Sequence, residues 1–309
     1  MIQAEMLTKK FDRFVALDRI SCTIPKGCIY GMVGSNGAGK STFLRLLSGI
    51  YQPDSGKALV DGMEVYENPE AKARIAFVPD DLYFLPNSSM NRMAQLYRAI
   101  YKNFDMERFA FLTQAFRLNP KANIQTFSKG MKRQAAIILA LSSRPDYYFF
   151  DETFDGLDPV MRGLVKSLIC EDVAERQVTA ILTSHSLREL EDTCDQLALL
   201  HKGGLVFESD IQRLKTSLFK VQIAFSDEYD KSRFENIELV HFTKHGSVAN
   251  MIVRGDRDDT IAKLRAMQPI LMDLLPLTLE EVFTWEMQAR GYSFENVVDE
   301  LQQKGEQKS

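Results

Sequence analysis

The 309 residues suffice for one large domain or two of ordinary size. At 45% hydrophobic and 26% charged they support a substantial core, which excludes a disordered chain, a collagen and a disulfide scaffold. The net charge of −4 argues against a protein held on DNA or anionic lipid by overall charge.

The first fifteen residues lack the apolar core of a signal peptide. Residues 4–9 and 20–24 alternate and are rich in β-formers, so they read as strands, with a turn at Pro25-Lys26-Gly27. Residues 29–33 form a short apolar strand that runs into a glycine-rich loop. Phe43, Leu44, Leu46 and Leu47 follow at helical spacing over 42–48. Residues 51–78 read as short strands again, with turns at 53–56 and at Asp61-Gly62. From 88 to 118 the period is helical, with Met90, Met93, Leu96, Tyr97 and Ile100 on one face and Phe109, Leu112 and Phe116 on another. A further helix is expected over 128–141, before Arg144-Pro145. Residues 147–150 and 178–183 are apolar strands, with helices over about 160–175 and 186–194. Strands alternating with helices predict an α/β fold whose mostly parallel sheet takes ligands at the C-terminal ends of its strands.

Beyond about residue 210 the pattern changes. Residues 221–225, 237–242, 248–253 and 270–275 read as strands, and 258–267 as a helix. Thr278 begins another helix, with Glu281 three residues on, as in a capping box. The expected organisation is a domain over 1–210 and a smaller C-terminal α+β domain over 211–309, ending in a charged helical tail. The four cysteines, at 22, 28, 170 and 194, form no C-x-x-C pair, so a reduced cytosolic protein without a zinc site is expected. No apolar run approaches the ~18 residues that span a bilayer. Any work at a membrane needs a partner that supplies the membrane part.

Gly34-Ser35-Asn36-Gly37-Ala38-Gly39-Lys40-Ser41 fits G-x-x-x-x-G-K-[ST] between a predicted strand and helix. Glycines let consecutive N–H groups curl around a phosphate, and the helix start near Lys40 points its positive dipole end at it. Gly34 to Ser41, with Thr42, are therefore the candidate nucleotide-binding residues. Lys40 is expected to bridge the β- and γ-phosphates of ATP, and Ser41 to hold Mg²⁺. The strand at 147–150 ends in Asp151-Glu152. Buried strands rarely end in adjacent carboxylates without a cation or partner. Asp151 fits the Mg²⁺ shell, and Glu152, pointing to the opposite side of the chain, is placed to polarise an attacking water.

Three further segments extend this pair of motifs. Thr126-Phe127-Ser128-Lys129-Gly130-Met131-Lys132-Arg133-Gln134 precedes the carboxylate strand, Asp155-Gly156-Leu157-Asp158-Pro159 follows it, and Thr183-Ser184-His185 ends the next strand. With Phe11 near the N-terminus, the order and spacing resemble the ATP-binding cassette (ABC) ATPases over about residues 2–210. The resemblance implies a P-loop ABC ATPase core with an antiparallel β subdomain and a helical subdomain, here at about 84–135. It implies adenine stacking on Phe11, a signature motif at Ser128 and Gly130 that contacts the γ-phosphate held by the opposite subunit, a D-loop acid at Asp158, and a switch histidine at His185.

Three positions depart from the family pattern. Val78-Pro79-Asp80-Asp81 stands where a glutamine is usual, which leaves Asp80 as a possible direct or water-mediated Mg²⁺ ligand. The signature reads Phe-Ser-Lys-Gly-Met, with Lys129 either at the γ-phosphate or in solvent, and Asp155 replaces a small or polar residue. Because Lys40, Asp151, Glu152 and His185 are intact, a competent Mg²⁺-dependent ATP hydrolase is expected.

One chain holds one phosphate loop and one signature, so the resemblance implies a dimer, with itself or with a related cassette. It also implies a separate transmembrane permease that holds the chain on the inner face of a bacterial membrane, and no nucleic acid. The likeness is greatest to exporter subunits; non-transport ABC ATPases and importer ATPases are the alternatives. Tyr83, Phe84, Leu85, Met90 and Met93 are the expected lining of a permease groove. The C-terminal domain is expected to serve dimerisation, because its apolar strands need a partner surface.

Overall fold

A computed structural model describes residues 1–289; the remainder of the expected tail lies outside the described residues. Two compact units are present, one over Met1–Ser209 and one beginning at Asp210. The strands of the first are β1 (Ile2–Phe11), β2 (Phe14–Ile24), β3 (Ile29–Val33), β4 (Ser55–Val60), β5 (Met63–Glu64), β6 (Ile75–Val78), β7 (Tyr147–Phe150), β8 (Thr179–Ser184), β9 (Gln196–His201) and β10 (Gly204–Asp210). Its helices are α1 (Lys40–Leu47), α2 (Pro69–Lys72), α3 (Met90–Ile100), α4 (Met106–Ala115), α5 (Lys129–Ser142), α6 (Pro159–Arg176) and α7 (Leu187–Glu191).

β2-β1-β4-β5 form an antiparallel sheet, and β10-β9-β3-β8-β7-β6 form a second, mostly parallel sheet. In the second, β9, β3, β8, β7 and β6 run parallel to their neighbours. Every residue of β3, β7 and β8 is buried. That is why they read as unbroken apolar runs rather than alternating ones: a parallel sheet is covered on both faces. The apolar face of α1 (Phe43, Leu44, Leu46 and Leu47) joins a core shared by Leu7, Leu17 and Val60 of the first sheet and Tyr30, Met32 and Phe149 of the second. Burying each such side chain contributes roughly 1.5–3 kcal/mol.

Register decides where the loops emerge. Val33 lies beside Ser184, Leu182 beside Phe150, and Phe150 beside Val78. The segments that leave β3, β6, β7 and β8 therefore start from one edge of the sheet, at the strands' C-terminal ends.

Side-chain caps start the helices between β6 and β7. Ser89 Oγ accepts from the Arg92 N–H at 3.3 Å, and an Asp105 carboxylate oxygen from the Arg108 N–H at 2.9 Å. Met90 and Met93 are buried in their own unit, so they are core residues and not groove lining; Tyr83 and Leu85 are exposed. Three local expectations are corrected. α2 is a helix within the stretch read as strands, begun by Asn68, which accepts from two amides, and Pro69. α7 spans five residues, shorter than the helix expected over 186–194. β9 and β10 were not anticipated at all.

The second unit holds α8 (Ile211–Ser217), β11 (Leu218–Ala224), β12 (Leu239–His245), β13 (Val248–Arg254), α9 (Arg257–Ala266), β14 (Leu271–Leu275) and α10 (Leu279–Ala289). Its sheet has the order β12-β13-β11-β14 and is antiparallel. Val221, Ile223, Phe225, Met251 and Val253 are buried with Phe234 and with Leu264 of α9. The apolar side of these strands is thus covered from within the unit, which removes the reason the sequence offers for a dimerisation surface. The capping box at α10 is reciprocal: Glu281 Oε2 accepts from the Thr278 N–H at 2.9 Å, and Thr278 Oγ1 from the Glu281 N–H at 3.2 Å. No described helix is long and apolar enough to cross a membrane.

Candidate functional site

The loop that leaves β3 turns sharply into α1. Gly39 has φ +109°, and a Cβ there would stand 2.6 Å from a Leu17 methyl and 2.8 Å from the Ala16 carbonyl oxygen, so only glycine fits. No side chain caps α1, and its first turn contains no acidic residue, which leaves the helix start suited to an anion. Lys40, the first residue of α1, is buried. Its Nζ donates to the Gly34 carbonyl at 2.6 Å and to the Ser35 carbonyl at 3.3 Å, and lies 3.0 Å from Glu152 Oε1.

Asp151 and Glu152 follow β7. Asp151 is fully buried; Oδ1 accepts from the Thr183 hydroxyl at 2.8 Å, while Oδ2 is buried with no hydrogen-bond partner among the described residues. The same Thr183 hydroxyl oxygen accepts from the Glu152 N–H at 3.0 Å. One side chain of β8 thus fixes both acids. Glu152 has φ +46°, a left-handed conformation that a non-glycine residue holds at a cost of about 1–3 kcal/mol. This backbone turn lets two consecutive acids serve different places: Asp151 stays under the sheet edge, while Glu152 reaches Lys40 and His185.

His185, just past β8, is half-exposed, with Nδ1 3.1 Å from Glu152 Oε2. The hydrogen bond to Glu152 raises the imidazole above its ordinary pKa; desolvation opposes it, and the charges of Glu152, Asp155 and Glu189 add to it. The Asp155 carboxyl is also raised, by burial first and then by the charge of Glu152. Ligand atoms of Glu152, Asp155 and His185 lie within 4.8 Å of one another.

A cleft of about 340 Å³ opens over these groups, lined by Phe11, Phe14, Ala16, Asn36, Gly37, Ala38, Gly39, Lys40, Ser41, Thr42, Asp80 and Glu152. It joins a phosphate-sized turn of backbone, a lysine, two hydroxyls and two exposed aromatic rings. Phe11 and Phe14 face each other across the β1–β2 turn. Phe14 and Ala16 are cleft residues that sequence reasoning missed; the signal was a second aromatic three residues after Phe11, on the other arm of a tight hairpin.

Asp80 follows β6 and lies on the cleft wall, with its Oδ1 2.7 Å from Arg133 Nη2. Arg133 was also missed. It sits in a buried stripe of α5 with Ala136, Ile137 and Ala140, so an arginine on an apolar stripe was the available sign.

Ser128, Gly130 and Asp158 do not line this cleft. Ser128 caps α5, its Oγ accepting from the Met131 N–H at 3.2 Å. A Cβ at Gly130 would stand 2.8 Å from the Gly156 carbonyl oxygen, so glycine lets the start of α5 lie against the loop after β7. Asp158 caps α6, accepting from the Val160 and Met161 amides, both at 3.0 Å. Lys129 is exposed.

The family model described as ABC transporter matches residues 17–155. The ABC transporter ATP-binding protein YtrB of Bacillus subtilis is 32% identical over 284 residues, 92% of this chain and 97% of that protein. The linearmycin resistance ATP-binding protein LnrL of the same organism is 32% identical over 212 residues, 67% of this chain and 68% of that protein. Among solved structures, dimeric MJ0796, a bacterial ABC transporter cassette, superposes with a TM-score of 0.63 at 19% identity, over 68% of this chain and 99% of that one.

Proposed function

The chain belongs to the ABC transporter ATP-binding proteins, a family of ATP-hydrolysing subunits, and from that premise we propose that it powers a bacterial exporter through ATP-driven pairing of two cassettes. The observation that carries the reading is Glu152, held between Lys40 and His185 at the edge where four parallel strands end. Likeness to a protein named for linearmycin resistance supports the outward direction.

In this reading the adenine stacks on Phe11, with Phe14 beside it, and the loop from Gly34 to Thr42 wraps the phosphates. Lys40 turns from Glu152 to the β- and γ-phosphate oxygens. Its release frees the Glu152 carboxylate to accept a hydrogen bond from the attacking water and draw off its proton. His185, held by Glu152 through Nδ1, would then offer its other ring nitrogen to the terminal phosphoryl group. The residues fit Mg²⁺: the partnerless Asp151 oxygen and the Ser41 hydroxyl would hold it, and Asp80 stands on the cleft wall. When bound, the ion neutralises charge on the β- and γ-phosphate oxygens.

Ser128 and Gly130, away from the cleft of their own chain, would meet the γ-phosphate held by a second copy or a related cassette, with Asp158 linking the two sites. ATP then favours the closed pair, and hydrolysis removes the shared ligand. A separate permease in the membrane would take the resulting motion at the inner face, with exposed Tyr83 and Leu85 among its contacts. Size-exclusion chromatography of Glu152→Gln with Mg²⁺ and ATP tests the cycle: a stable dimer is expected, and a variant that binds ATP yet stays monomeric refutes it. Purification from a membrane extract tests the partner; a polytopic membrane protein is expected with the chain.

A further inference from the structure

Alternation along the strands of the second unit sends two kinds of side chain to opposite faces of its sheet. Val221, Ile223, Met251 and Val253 fill the core on one face. The residues between them differ in kind. Register places Gln222, Asn250 and Thr243 in one row across β11, β13 and β12, and Lys220, Ile252 and His241 in the next. This second face is mostly polar, and α10 reaches it through three side chains. Trp285 packs on His241 with ring centroids 4.2 Å apart and a tilt of 32°. Glu286 Oε1 lies 2.9 Å from Arg254 Nη2, and Glu281 Oε1 lies 3.7 Å from Lys220 Nζ.

Helix and sheet together line a cavity of about 280 Å³, whose polar wall is made by Lys220, His241, Thr243, Asn250 and Glu281 and whose flat wall includes Trp285. Its polar groups are mostly donors. The Lys220 side chain is 30% exposed, and its distance from Glu281 exceeds a hydrogen bond. Glu281 is committed elsewhere, because its Oε2 accepts from the Thr278 N–H and hydroxyl in the α10 cap. Asn250 Oδ1 accepts from Gln222 Nε2 at 3.3 Å, which leaves the Asn250 NH₂ group to donate. Desolvation holds His241 below its ordinary pKa, helped by the charge of Lys231, so the imidazole is neutral near pH 7. One cation, several neutral donors and a flat aromatic wall match a ring that carries a negative charge.

We propose that this cavity is a binding site for a small planar organic anion of the aromatic carboxylate class. Lys220 gives the carboxylate a charge-assisted hydrogen bond, and Asn250 and Thr243 donate to its remaining lone pairs. The ring stacks against Trp285, whose orientation His241 fixes from the sheet. Glu281, the one acid of the wall, disfavours a ligand with a second negative group. The volume limits the ligand to a single ring with short substituents. The site lies within the second unit and needs no nucleotide, so it stands or falls apart from the phosphate-loop cleft.

Trp285 is the single tryptophan of the chain, so tryptophan fluorescence reports on this cavity. The full-length chain, without nucleotide, is titrated with benzoate and with nicotinate. Each is expected to change the emission and to saturate with a Kd of about 0.1–1 mM, and calorimetry should agree. Nicotinamide is planar but neutral, and cyclohexanecarboxylate is charged but not planar; each should bind about tenfold more weakly or worse. In calorimetry Lys220→Met should weaken benzoate by about tenfold or more, while Lys220→Arg, which keeps the charge, should stay within about threefold. The arginine variant separates loss of charge from loss of fold. Lys263→Met removes an exposed cation of α9 and should stay within about twofold of wild type. Absence of saturable binding of either anion up to about 10 mM overturns the site. So does benzoate binding that Lys220→Met leaves at the wild-type value, or nicotinamide that binds as tightly as nicotinate.

Discussion

The two units use the same polar residue types to different ends. In the second, carboxylates cap the starts of helical turns: Asp210 accepts from the Arg213 amide, Asp230 from the Ser232 amide and Asp256 from the Asp259 amide. Its antiparallel sheet sends successive strand ends to opposite edges, so few of these groups meet. In the first unit four parallel strands end together, and the loops beyond them bring Lys40, Glu152 and His185 into contact. Reactive chemistry collects where strand ends converge; dispersed acids stabilise their own neighbourhood. Substitutions should separate the two behaviours, with large functional effects in one unit and small stability effects in the other.

The largest effect is expected at Glu152. Glu152→Gln should slow ATP hydrolysis about 10²–10⁴-fold, roughly 3–5 kcal/mol of barrier, measured as phosphate release. A loss below tenfold would mean that another group activates the water. Next comes Lys40→Ala, which removes the cation that three acceptors now share. ATP affinity should fall by about 10²-fold in calorimetry; wild-type affinity would show that the loop alone holds the phosphates.

A subtler contrast concerns protons. His185 is raised above its ordinary pKa by its bond to Glu152. The pairing, and the stability it lends, is therefore complete below about pH 6.5 and is lost as pH rises through the raised value. An NMR titration should place the His185 midpoint above that of a free imidazole, and Glu152→Gln should bring it down. A midpoint that ignores this substitution assigns the shift to another cause. The smallest effect lies in the second unit: Thr278→Ala removes one half of the α10 cap and should cost about 1 kcal/mol. Faster amide exchange over Leu279–Ala289, with unaltered ATP hydrolysis, would match the contrast; impaired hydrolysis would break it.

Much of the first unit was legible because it depends on local signals. β3, β7 and β8 announce themselves as unbroken apolar runs, and the loop between β3 and α1 by its glycines, of which Gly34 and Gly39 leave no room for a Cβ. The misses have physical causes too. β9 is a short apolar segment directly after a stretch of helical composition, and only its pairing with β3 makes it a strand. α2 is four residues long, too short for any period to register. Met90 and Met93 carry no mark that separates a core face from a groove. Arg133 is hidden because a charged residue reads as surface until its partner is known, and Asp80 lies 53 residues away. The left-handed turn at Glu152, which lets adjacent acids do unlike things, has no signature in the residue type.

The placement of β3 has a bearing on biosynthesis. Both of its hydrogen-bonded neighbours, β8 and β9, come about 150 residues or more later in the chain. At about 5–20 residues per second, a ribosome leaves this strand without lateral support for roughly ten to thirty seconds. A nascent polypeptide halted before β8 would thus display the whole phosphate-loop motif and yet lack the scaffold that holds it in shape.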